Sequence, residues 1–71
     1  MPSNSIIPTT AGYIAAAARE SRILQSRINL MVTARSRGNM SAARLAANRV
    51  QDSIQLIDTL LIMAAEIENS E

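Results

Sequence analysis

The chain has no cysteine, histidine, lysine, tryptophan or phenylalanine, and Tyr13 is its single aromatic residue. Without cysteine there is no disulfide, and without cysteine or histidine the usual zinc ligands are missing. The absence of histidine also removes the commonest general acid or base. Only two glycines and two prolines occur, and neither type interrupts residues 39–71. The isolated glycines, Gly12 and Gly38, cannot form a Gly-rich phosphate loop. Long hydrophobic runs are also lacking. The most apolar stretch begins at Ile54 and is broken by Gln55, Asp58 and Thr59, well short of the ~20 residues that a membrane span needs. No basic, apolar leader precedes Pro8, so a cytoplasmic protein is expected. At 71 residues the chain makes one domain at most, and chains under roughly 70–80 residues rarely stabilise themselves with a single core. Helix packing and association with another chain are what remain.

What is present is sorted by position. All seven basic residues are arginines, between Arg19 and Arg49, and Glu20 is the only acid before residue 50. Residues 50–71 hold the other five acids and no base, so a net charge of +1 conceals a strong polarity. The acids are spread along one segment. Asp52 and Asp58 are six apart and do not share a helix face, and no serine or threonine sits in a nucleophile motif. An enzyme is not expected, and no cofactor or metal is implied.

The polar stretch Met1–Thr9 reads as a flexible N-terminal arm, followed by one helical domain over residues 10–71. Pro8 disfavours helix at Ile7, and Thr9 or Thr10 can serve as the N-cap of a helix. This first helix is predicted over about residues 11–37, ended by a left-handed cap at Gly38 behind the cations Arg35 and Arg37. The turn covers residues 38–40. Asn39 or Ser41 can cap a second helix, over about residues 40–68. In that helix Met40, Ala43, Ala47, Val50, Ile54, Ile57, Leu61 and Ala64 recur at alternating steps of three and four, a heptad stripe. The first helix offers a rougher match in Ile14, Ala17, Ser21, Leu24, Ile28, Met31 and Arg35. The fold class is therefore all-α, an antiparallel two-helix hairpin. Its expected core is Ile14, Ala17, Leu24, Ile28, Met31, Val50, Ile54, Ile57 and Leu61. Folding at Gly38-Asn39 sets Ala15–Ala18 opposite Thr59–Ile62, so small residues meet large ones. It also brings Asp58 near Arg19 and Arg22, and Asp52 near Arg22 or Arg27, as expected ion pairs.

Beside that seam a second stripe appears: Leu56, Leu60, Met63 and Ile67. A hairpin can bury only one stripe. Each side chain of this kind is worth ~1.5–3 kcal/mol when buried, so four left in water favour association. These four are the expected partner-binding residues. A homo-oligomeric four-helix bundle would also cover them. A third class is nucleic-acid binding through an arginine face that includes Arg22 and Arg37. No lysine or stacking aromatic supports it, and the pI of about 8.5 is below the usual basic footprint.

The layout resembles the small helical-hairpin co-chaperone of the bacterial type III secretion needle subunit. The matching pieces are the long helix Ala11–Arg37, the turn Arg37-Gly38-Asn39-Met40, and Gln51-Asp52-Ser53-Ile54-Gln55-Leu56-Ile57 at the start of an apolar second half. The resemblance rests on architecture and covers nearly the whole chain. It implies a cytoplasmic, non-catalytic protein that pairs with a larger tetratricopeptide-like, helical-repeat chaperone. Together the two would keep the secreted needle subunit soluble. It also implies that Leu56, Leu60, Met63 and Ile67 contact that chaperone.

Overall fold

A computed structural model describes residues 9–70, and the expected arm, residues 1–9, lies outside them apart from Thr9. The described chain is two α-helices, α1 (Thr10–Ser36) and α2 (Met40–Ser70), packed along each other as an antiparallel hairpin. No strand occurs among the described residues.

Each helix end has a local chemical cause. Thr9 is extended and accepts the Gly12 N–H through Oγ1 at 3.0 Å, so it caps α1. At the other end Gly38 has a φ of +76°, the left-handed conformation that a side chain disfavours. The Asn39 N–H then reaches back to the Ala34 carbonyl at 2.9 Å, and the Gly38 N–H to Arg35 at 3.0 Å. These two bonds close the last turn of α1 as a Schellman motif. Asn39 also begins the next helix. Its Oδ1 accepts the Ala42 N–H at 3.1 Å, and its carbonyl accepts the Ala43 N–H at 3.0 Å. One residue thus closes α1 and opens α2, which is why the reversal is so short.

The seam is a heptad seam, rotated from the one the apolar pattern suggests. On α1 the residues turned inward include Tyr13, Ala17, Glu20, Leu24, Arg27, Met31 and Ala34. On α2 they include Ala43, Ala46, Val50, Ser53, Ile57, Leu60, Ala64 and Ile67. The expected core residues Ala17, Leu24, Ile28, Met31, Val50 and Ile57 are buried or half-buried. The expected core residues Ile14, Ile54 and Leu61 are not: they are 48%, 46% and 47% exposed. Their neighbours Tyr13, Ser53 and Leu60 point inward instead. The expectation that Leu61 is in the seam and Leu60 outside it is therefore reversed.

Candidate interaction surface

The rotation has a polar cause at the middle of the hairpin. Ser53 is wholly buried. Its hydroxyl donates to Glu20 Oε2 at 2.7 Å and accepts from Arg27 Nη1 at 2.8 Å. The same Arg27 nitrogen donates to the Arg49 carbonyl at 3.0 Å and lies 3.9 Å from Glu20 Oε2. Glu20 and Arg27 are seven residues apart, two turns along one face of α1, so both can close on one serine of α2. An acid, a base and a hydroxyl satisfy one another here, and no buried side-chain polar atom among the described residues lacks a partner. Glu20–Arg27 is the one ion pair among the described residues. The expected pairs of Asp52 and Asp58 with Arg19, Arg22 or Arg27 do not form. All of these except Arg27 are exposed, where an ion pair is worth little and does not hold two long side chains together.

This polar layer displaces apolar residues to both flanks of the seam. Among the described residues Val50 is the largest buried apolar one, and the other three are alanines. The largest side chain that is wholly buried is a serine. Large hydrophobics meanwhile stand exposed along both helices.

The two flanks have different compositions. One contains Ile23, Leu30, Leu56 and Met63, which are 39–62% exposed. Near the open end of the hairpin this flank carries a shallow groove of about 220 Å³, lined by Tyr13, Met63, Glu66, Ile67 and Ser70. The other flank is the seven-residue series Met40, Ala47, Ile54 and Leu61 on α2, alongside Ile14, Ser21, Ile28 and Arg35 on α1. A second shallow groove, about 240 Å³, marks this side near the turn and is lined by Met31, Arg35, Met40, Ala43, Arg44 and Ala47.

The expected partner-binding residues thus divide. Leu56 and Met63 are exposed on the first flank, while Leu60 and Ile67 are half-buried. Ile67 still reaches the groove beside Met63. Tyr13, half-buried in the same groove, was not singled out by the heptad pattern because it precedes Ile14, which fitted the apolar stripe better.

No protein-family model matches the chain, and neither a curated protein nor a solved structure matches it. The surface must therefore be read from its own chemistry. No helix among the described residues is long and apolar enough to cross a membrane. The outward faces of both helices are mostly polar: Arg19, Arg22, Ser26, Asn29 and Thr33 on α1, with Arg44, Asn48, Gln51, Asp52, Gln55 and Asp58 on α2, are all exposed, and Val32, Leu45 and Ile62 are the large apolar exceptions. Most of the exposed large apolar groups stand beside the seam, where a flat partner can reach both helices at once.

Proposed function

We propose that this chain is a non-catalytic protein-interaction module that docks through the flank containing Leu56 and Met63. One observation carries the reading: among the described residues a serine is the largest wholly buried side chain, while eleven large hydrophobic residues are exposed. Such an inversion leaves most of the apolar free energy unrealised until another chain covers it. The layout suggests a candidate partner. Like the needle-subunit co-chaperones of type III secretion, the hairpin would lie in the groove of a cytoplasmic helical-repeat chaperone and help keep the secreted needle subunit soluble. Acids fit that arrangement, since Glu66 borders the groove beside Met63 and suits a partner with basic edges.

The test is a titration of the purified chain with the helical-repeat chaperone of its own host, monitored by calorimetry. A one-to-one complex is expected, abolished by Leu56→Asp with Met63→Asp while helix content is retained. Unchanged affinity of that double variant would place the contact elsewhere. No complex at micromolar concentration would remove the chaperone reading.

A further inference from the structure

The opposite flank carries an independent inference. We propose that it pairs with a second copy of the chain, forming an antiparallel four-helix bundle whose two-fold axis passes beside Ser21 and Ile54.

The flank is apolar over most of its length. Ile14, Met40, Ile54 and Leu61 are about half exposed, and Ile28 and Ala47 between them are half-buried. Its one interior polar residue is Ser21. The Ser21 hydroxyl already donates to the Ala17 carbonyl at 2.9 Å, so covering it leaves no donor without a partner. Area also suffices. α1 has 27 residues, so two helices side by side present a face roughly 40 Å long and 20 Å wide, about 800 Å², what each partner contributes to a standard stable interface.

Charge chooses the occupant and its direction. Along α2 the series runs Met40, Ala47, Ile54, Leu61, Glu68, with Arg35 of α1 beside Met40 in the groove at the turn. The strip thus has a cation at the turn end and an acid at the open end. The whole hairpin has the same sense. On the turn side of the Ser21–Ile54 level lie Arg22, Arg27, Arg35, Arg37, Arg44 and Arg49 against one acid, Asp52. On the open side lie Glu20, Asp58, Glu66 and Glu68 against one base, Arg19. A two-fold axis at the Ser21–Ile54 level exchanges the ends. Arg35 then meets Glu68 of the second copy, twice by symmetry. The same axis sets Leu61 against the Ala47 level, large against small. A parallel pairing would bring the two arginine-rich turn ends together and the two acidic open ends together.

The absence of cysteine makes a direct test simple. Sedimentation of the purified chain at micromolar concentration is expected to give a dimer. Oxidation should link Ile54→Cys to itself and link Leu61→Cys to Ala47→Cys, but should not link Leu56→Cys. Ile54→Arg should yield a monomer of unchanged helix content. Arg35→Glu or Glu68→Arg alone should weaken the dimer roughly tenfold, and the two together should restore it. A monomer at every concentration would overturn the proposal. So would crosslinking at position 56 in place of 54, or a charge swap that restores nothing. The two readings fail separately: Leu56→Asp with Met63→Asp should leave this dimer intact and remove only the chaperone complex.

Discussion

Replacing Ser53 by alanine removes one oxygen atom and tests the polar layer directly. In the native hairpin that oxygen is wholly buried and serves two charged groups, Glu20 at 2.7 Å and Arg27 at 2.8 Å. The two losses are unequal. Arg27 keeps its bond to the Arg49 carbonyl, and about a third of its side chain reaches water. The Glu20 side chain is only 13% exposed, and its remaining neighbour is Arg27 at 3.9 Å. The cost is therefore set mainly by an under-bonded carboxylate, and a hydrogen bond to a charged group is worth ~1.5–3 kcal/mol. Some of it returns if Arg27 closes on Glu20, so about 1–2 kcal/mol is expected. For a chain of this size 1 kcal/mol corresponds to roughly 4–8 °C in Tm. Thermal unfolding monitored by circular dichroism, at fixed protein concentration, should therefore show a fall of about 5–15 °C. A cycle with Glu20→Ala should give coupling above ~0.5 kcal/mol, as expected of residues in one network. A loss under ~0.3 kcal/mol with no coupling would mean that the serine is only a small residue at a tight crossing, and the argument for the layer would fail.

Four further variants have outcomes set by the geometry. Gly38→Ala should cost about 1 kcal/mol in urea unfolding, because a Cβ there meets nothing within 4 Å and the cost is that of the positive φ alone; a neutral result would mean that the turn relaxes to another conformation. Leu60→Ala should lower hairpin stability by about 1–3 kcal/mol, below the full-burial range because Leu60 is half-buried, whereas Leu61→Ala should change association more than hairpin unfolding; equal effects would erase the distinction between seam and flank. Replacing the layer by apolar groups, with Glu20→Leu, Arg27→Met and Ser53→Ala together, should keep or raise stability but permit more than one helix register, read as extra crosslinked pairs between single cysteines on α1 and α2; one unchanged register would show that packing alone fixes the alignment.

The helices, their reversal and the class of fold were legible because each rests on local chemistry. Gly38 after Arg35 and Arg37 signals a left-handed cap, Asn39 signals a start, and the steps of three and four signal helix. The rotation of each helix about its axis was not legible from hydrophobicity. Assigning every large apolar residue to the seam favours Ile14, Ile54 and Leu61, and it expels Glu20, Arg27 and Ser53. That logic treats a buried acid or base as a cost, which holds for each alone but not for three groups that satisfy one another. The available signal was positional. Glu20 and Arg27 are two turns apart on one face, and the fold sets Ser53 opposite them. The divided partner stripe has the same origin, since turning Ser53 inward draws Leu60 and Ile67 toward the seam and leaves Leu56 and Met63 outside.

The polar layer therefore links register to association. Were Ile54 and Leu61 in the seam, burying each would stabilise the lone hairpin by ~1.5–3 kcal/mol. With Ser53 and Leu60 there instead, the gain from Ile54 and Leu61 arises only when a second surface covers them. A hairpin with an all-apolar seam would have only its short turn to hold the register, because alanine and leucine positions repeat along both helices. Glu20, Arg27 and Ser53 occur once in their layer, so a slip would bury charges without partners, at several kcal/mol. A fixed register is what aligns Ile14 with Leu61 and Ile28 with Ala47 on one flank, and Ile23 with Leu56 on the other. Neither flank would be a continuous surface if the helices slid. The same three residues that weaken the interior thus make the exterior specific, and a hairpin of this kind would gain its stability and its selectivity together on being covered by a second surface.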